Sequence, residues 1–138
     1  MEQFFAFITN HPILVGTFVV LLILFIRNEM VRGGASISAA ELVQLVNNEN
    51  AVVIDVRDKA EFDAGHIVDS INIPFSSLDT RADELNKFKD KPLVIACKMG
   101  QHAGSAGTAL KKKGFENVSR LKGGIAEWRG QSLPVVKA

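Results

Sequence analysis

PLVIACKMGQHAGSAGTALKKKG, residues 92–114, decides the fold. Its first five residues form an uninterrupted apolar run, the pattern of a strand buried on both faces of a parallel sheet. After a six-residue loop, AGSAGTALKKKG (103–114) reads as a helix ended by glycine. A strand, a short loop and a helix make the repeating unit of an α/β fold, whose ligands bind in the crevice outside the carboxyl ends of the strands. The only cysteine of the chain, Cys97, stands at that junction. Gly100 lets the loop turn tightly, and the unpaired amides that open the following helix point at whatever the sulfur holds. Those amides, the helix dipole and the neighbouring Lys98 all favour thiolate over thiol, which is the form a nucleophilic cysteine needs.

The segments on either side alternate in the same way. Ser38 and Glu41 form a capping box ahead of AAELVQLVNN, where Leu42, Leu45 and Val46 recur at helical spacing. AVVID (51–55) is a buried strand, and Asp58 caps a short helix around AEFDAG. SINI (70–73) is a second strand closed by Pro74, and residues 77–88 form a helix with Leu78, Leu85 and Phe88 inward. PLVIA is the third strand and VSRL (118–121) the fourth, followed by Gly123, Gly124 and a last helix carrying Trp128. Strands alternating with helices predict an α/β domain with a mostly parallel central sheet and helices on both faces.

Ahead of this domain the composition changes. PILVGTFVVLLILFI (12–26) carries no charge, and only Thr9, Asn10 and His11 interrupt the apolar stretch that reaches back to Phe4. As one helix, residues 4–26 would extend about 34 Å, enough to cross a bilayer core of about 30 Å. The expected organisation is a membrane anchor over residues 1–31 (span about 4–26), a linker over 32–36 (RGGAS) and the α/β domain over 37–138. A cleaved signal peptide is disfavoured because Glu2, not Lys or Arg, precedes the apolar run. Arg27 and Arg32 follow that run, which places the domain on the cytoplasmic side by the positive-inside rule, in keeping with a free thiol and a reducing compartment. Net charge of the 138-residue chain is +1, so its overall balance implies no nucleic-acid partner.

From residue 52 to residue 128 the chain resembles a single-domain rhodanese. VIDVRDKAEFDAGHIVDSINIP (53–74) carries the D-V-R, E-F, G-H-I and I-N-I-P pieces of that family in order. CKMGQH, Cys97 to His102, is similar to its six-residue active-site loop, and Gly114, Phe115, Leu121, Gly123, Gly124 and Trp128 match the pieces that follow. A membrane helix fused to one such domain resembles a bacterial subgroup of these proteins, which implies single-pass anchoring in the inner membrane. The resemblance further implies the three-layer rhodanese fold and sulfur transfer. Cys97 attacks the outer sulfur of thiosulfate or a related anionic donor, carries it as a persulfide and passes it to a thiol or another thiophilic acceptor. The backbone amides of Lys98, Met99, Gly100, Gln101 and His102 would cradle the donor anion, and neither a metal nor a bound cofactor is needed. Two positions depart from the pattern: His102 stands where the family usually keeps arginine, and Met99 where it commonly has a small polar residue.

Other residues have plainer expectations. His66 is a structural histidine satisfied by its neighbours, Trp128 and Phe115 belong to the core, and Lys111, Lys112 and Lys113 complement the dipole at a solvated helix end. Two alternatives to sulfur transfer remain in view at this level. One is a weakly catalytic or non-catalytic binding module that recruits a membrane protein. The other is a phosphatase or arsenate reductase of the same fold, against which the six-residue loop without arginine argues.

Overall fold

The computed structural model describes residues 1–31 and 33–137 of the chain, with the side chains of residues 29–31 outside the described set. Its contacts divide it into two compact units, Met1–Val31 and a larger one that begins at residue 32.

The first unit corrects the expectation of one continuous span. Helix α1 (Glu2–Asn10) and helix α2 (Pro12–Val31) meet at a bend of 94°. Pro12 accounts for the break: it suits the first position of a helix but disfavours helical geometry in the residue before it. His11 accordingly has φ −130° and ψ 56°. No single helix among the described residues is long and apolar enough to cross a membrane, although the bent pair passes that test together. The apolar side chains of α2 are exposed around the helix, Leu14, Phe18, Leu21 and Phe25 among them. Arg32, half of the charge argument for topology, lies outside the described residues.

In the second unit five parallel strands form one sheet in the order β1-β5-β4-β2-β3. They are β1 (Ala35–Ile37), β2 (Val52–Asp55), β3 (Ile71–Asn72), β4 (Leu93–Ala96) and β5 (Val118–Leu121). β1 has no counterpart among the expected strands. Ala35 and Ser36 fall in the expected linker, yet they pair with Ser119 and Arg120 of β5. The helices are α3 (Ala39–Glu49), α4 (Lys59–Ala64), α5 (Leu78–Arg81), α6 (Ala103–Lys112) and α7 (Gly124–Gly130). The capping box of α3 is present, with Ser38 Oγ accepting from Glu41 N–H at 3.2 Å and Glu41 Oε2 accepting from Ser38 N–H at 2.7 Å. Asp58 occupies the N-cap of α4 without a side-chain capping bond.

Residues 77–88 do not form one α-helix. A 3₁₀ turn (Phe75–Ser77), the single turn of α5 and a 3₁₀ stretch (Ala82–Phe88) replace it. Inward residues there run Leu78, Ala82, Leu85 and Phe88, and the last two steps of three match the 3₁₀ period of 3.0 residues per turn.

Alternation along the central strands builds two cores. Leu93 and Ile95 of β4, with Ile54 of β2, pack under Leu78, Leu85, Ala106 and Leu110. Val94 and Ala96, with Val53, face the opposite layer of Leu42, Ile125 and Trp128. This is a three-layer arrangement with helices on both faces of a parallel sheet. The period of two carries Cys97 into the same cluster as Leu93 and Ile95, on the side of α6. Phe115 and Trp128 are buried as expected, and Trp128 Nε1 donates to the Pro134 carbonyl at 2.9 Å.

Candidate active site

β2 and β4 are neighbours at the middle of the sheet. The chain leaves β2 toward β3 on one side and leaves β4 toward β5 on the other. Parallel sheets open a crevice at such a point, outside the carboxyl ends of the two strands. A cavity of about 300 Å³ lies there. Its lining comes from the segment after β2 (Val56, Arg57, Asp58), the segment after β3 (Phe75, Ser76) and the loop after β4 (Cys97, Lys98, Gln101, His102), with Glu61 of α4. Two backbone bonds tie these segments together: Val56 N–H donates to the carbonyl of Ala96 at the end of β4, and Phe75 N–H donates to the Val56 carbonyl, each at 3.0 Å.

Cys97 is 2% exposed and belongs to the core cluster, yet its side chain lines this cavity. Gly100 N–H donates to Cys97 Sγ at 2.8 Å, so the loop folds back on the sulfur. That return requires the φ of +90° at Gly100, a left-handed conformation that costs a side-chain-bearing residue energy.

The loop is clasped from its other side by the start of α7. Ile125 N–H donates to the Cys97 carbonyl at 2.8 Å, and Ala126 N–H to the Lys98 carbonyl at 3.0 Å. In a trans peptide the N–H points opposite to the C=O, and none of the described bonds is cis. The amides of Lys98 and Met99 therefore point away from α7. Gly123 and Gly124, with φ of +71° and +62°, allow the chain to enter α7 directly against the loop. The glycine pair of the sequence pattern thus brings donors to the loop carbonyls and fixes the direction of the loop amides.

The rim has its own supports. Asp55, fully buried at the end of β2, accepts from Arg57 Nε at 3.0 and 3.1 Å, from Arg57 Nη2 at 2.7 Å and from Arg57 N–H at 3.0 Å. Arg57 Nη2 also donates to the Gly65 carbonyl at 2.7 Å. Asn72 Nδ2 donates to the carbonyls of Asp55 and Arg57 at 3.1 and 2.9 Å, which locks the turn after β2. Paired charges and satisfied carbonyls make this wall rigid. Lys98 lies 3.5 Å from Glu61 across the opening, with both side chains in water.

Each residue expected at the site is placed as follows. Cys97, Lys98, Gln101 and His102 line the cavity. Gly100 reaches the sulfur through its amide. The side chain of Met99 stands in solvent, 59% exposed, and takes no part in the lining. His102 is the N-cap residue of α6, and its ring stacks on Phe75 with centroids 5.2 Å apart. His66 is structural, as expected: Nδ1 lies 2.8 Å from the Phe62 carbonyl oxygen, and the ring stacks on Phe62 at 3.8 Å. Sequence reasoning missed Arg57, Glu61, Phe75 and Ser76. The D-V-R and E-F pieces contain two of them, and their distance of about 40 residues from Cys97 concealed the meeting.

A family model of the rhodanese-like domain matches residues 38–131. The chain belongs to the rhodanese-like family. It is 35% identical to the uncharacterized protein YibN of Escherichia coli over 99% of both chains. Among solved structures, the rhodanese-related protein of Thermoplasma volcanium superposes with a TM-score of 0.66 at 35% identity, covering 73% of this chain and 96% of that one. An NAD-dependent persulfide reductase from A. fulgidus has a TM-score of 0.55 at 35% identity, with 67% of this chain matching 16% of the longer protein. The rhodanese-like match spans α3 to α7 and so includes the cysteine loop between β4 and α6.

Proposed function

We propose that this rhodanese-like chain is a sulfurtransferase that moves sulfane sulfur through a persulfide on Cys97. One observation carries the reading: the thiol lies at the inner end of a cavity at the switch point of the sheet, with a backbone amide on its sulfur. The match to part of a persulfide reductase lends support, because persulfide is the species named for that protein.

In the first half-reaction the Cys97 thiolate attacks the outer sulfur of thiosulfate. A bond forms between Sγ and that sulfur, the sulfur–sulfur bond of thiosulfate breaks, and its electron pair leaves on sulfite. The Gly100 N–H on Sγ, with the Lys98 and Met99 amides turned away from α7, offers donors to the anionic sulfur as charge moves onto it. Lys98 at the opening attracts the anionic donor as a point charge, while Glu61 opposite limits that attraction. In the second half-reaction a thiol acceptor removes the outer sulfur and returns the Cys97 thiolate. The chemistry is covalent catalysis in two displacements.

We also propose that the apolar first unit holds the domain at the cytoplasmic face of a bacterial inner membrane. Residues apolar on all faces of α2, with its large side chains exposed, support an apolar environment for that helix. Steady-state release of sulfite from thiosulfate with a thiol acceptor tests the activity. Wild-type turnover that is lost in Cys97→Ser supports the reading, and equal rates in the two proteins would exclude it. Recovery of the full chain in carbonate-washed membranes tests the anchoring, and recovery in the wash would refute it.

A further inference from the structure

Beside the Cys97 cavity lies a second one, of about 390 Å³, to which the first half-reaction assigns no occupant. Arg57, Glu61 and Lys98 line both, so the two compartments adjoin at these three residues, two of which, Lys98 and Glu61, lie 3.5 Å apart. Ala126 and Arg129 of α7 form the far wall. Arg129 Nη2 donates to the Gly65 carbonyl at 3.3 Å and meets no carboxylate among the described residues. Three cations thus line the second compartment against one carboxylate, Glu61. Arg57 is neutralised by Asp55, which leaves Arg129 and the loosely paired Lys98 to act on a ligand.

The second compartment does not include Cys97, so it cannot hold a donor's reacting sulfur. It can hold the remote part of a molecule whose thiol reaches across Lys98 to the sulfur. We propose that this compartment seats the sulfur acceptor, and that the acceptor is a small thiol bearing a carboxylate. The proposal rests on the sulfurtransferase reading and names the acceptor's place and charge. The acceptor thiolate attacks the outer sulfur of the protonated Cys97 persulfide. A new sulfur–sulfur bond forms to the acceptor, the bond to Sγ breaks, and its electron pair stays on Sγ. The product is the acceptor persulfide, and no oxidant enters. Attraction between the acceptor carboxylate and Arg129 places the thiol for this attack without acting at the reacting atoms.

The test uses the full chain in detergent micelles, loaded at Cys97 with polysulfide so that thiosulfate turnover is not a prerequisite. After excess reagent is removed, discharge is followed by intact mass with three thiols of similar size: 3-mercaptopropionate, 2-mercaptoethanol and cysteamine. Ratios between thiols, compared across variants, cancel their intrinsic reactivities. Arg129→Glu should lower the ratio of mercaptopropionate to mercaptoethanol rates about fivefold, the size of one exposed charge interaction. Glu61→Gln should raise it, and added salt should shrink both effects. The Gly65 carbonyl keeps its bond from Arg57 in the Arg129 variant, and the opposite sign expected for Glu61→Gln separates charge from misfolding. Ratios unchanged in both variants would overturn the acceptor site. Discharge by all three thiols no faster than from the urea-unfolded loaded chain would overturn the sulfurtransferase reading, and the acceptor site with it.

Discussion

Replacing Gly124 with alanine should disable the site without touching the cysteine. A Cβ there would lie 2.9 Å from Gly100 N, 2.9 Å from the Lys98 carbonyl carbon and closer still to the Cys97 carbonyl oxygen. All three neighbours are backbone of the cysteine loop, so no side chain can swing aside. To bring the closest of these neighbours, the Cys97 carbonyl oxygen, to ordinary contact beyond 3.4 Å, the loop or α7 must retreat by about one ångström. The φ of +62° at this position adds about 1–2 kcal/mol of left-handed strain for a residue with a Cβ. Loosening the Ile125 and Ala126 bonds to the loop carbonyls costs about 1 kcal/mol each. The total, about 3–4 kcal/mol, corresponds to a melting temperature lower by about 15–20 °C for a domain of this size. A displacement of that order in a reacting group costs about a hundredfold in rate. Gly130→Ala is the control, because a Cβ there meets nothing within 4 Å and its φ is not positive. Thermal unfolding and single-turnover persulfide formation should separate the two variants, with Gly130→Ala close to wild type. A Gly124→Ala protein as stable and as fast as wild type would refute the idea that α7 sets the loop.

Three further perturbations probe the rim and the core. Asp55→Ala leaves the Arg57 guanidinium buried without its carboxylate, and the denaturation midpoint should fall by the equivalent of about 3–5 kcal/mol; a shift below about 1 kcal/mol would mean that the pair is not buried in solution. His102→Arg places a permanent two-pronged donor at the cavity mouth and should lower the KM for thiosulfate severalfold; an unchanged KM would show that this side chain does not face the donor. Trp128→Phe removes the bond to the Pro134 carbonyl, and about 1 kcal/mol of stability should go with it, together with faster amide exchange at Val136; exchange as slow as in wild type would show that the tail is held by other contacts.

How much of this is legible in the chain differs from element to element. Strands β2 and β4 are readable because their apolar runs demand burial, whereas β5, with Ser119 and Arg120 at its middle, is readable from its place in the alternation of strands and helices. β1 is not, because Ala35, Ser36 and Ile37 carry no such signal and become a strand only by pairing with β5, more than 80 residues away. The 3₁₀ stretch over Ala82–Phe88 escapes for a subtler reason: inward residues at steps of three and four also fit one α period. At Pro12 the signal is present but overridden by hydrophobicity, and the structure bends there. Cys97 can be placed at a strand end from local pattern alone. The residues that complete its cavity cannot, since Arg57 and Phe75 reach it, and the α7 amides reach its loop, only through the order of strands in the sheet. The family pattern contains Gly123 and Gly124, but their purpose becomes readable only with the Cys97 and Lys98 carbonyls in view.

The most direct test of the central claim is the mass of the intact chain after brief incubation with thiosulfate and removal of small molecules. Sulfur transfer through Cys97 predicts a gain of one sulfur, about 32 Da, in wild type. It predicts no gain in Cys97→Ser, which has no other thiol to carry it. A wild-type chain that stays unmodified, or a Cys97→Ser chain that gains the same mass, would contradict the account.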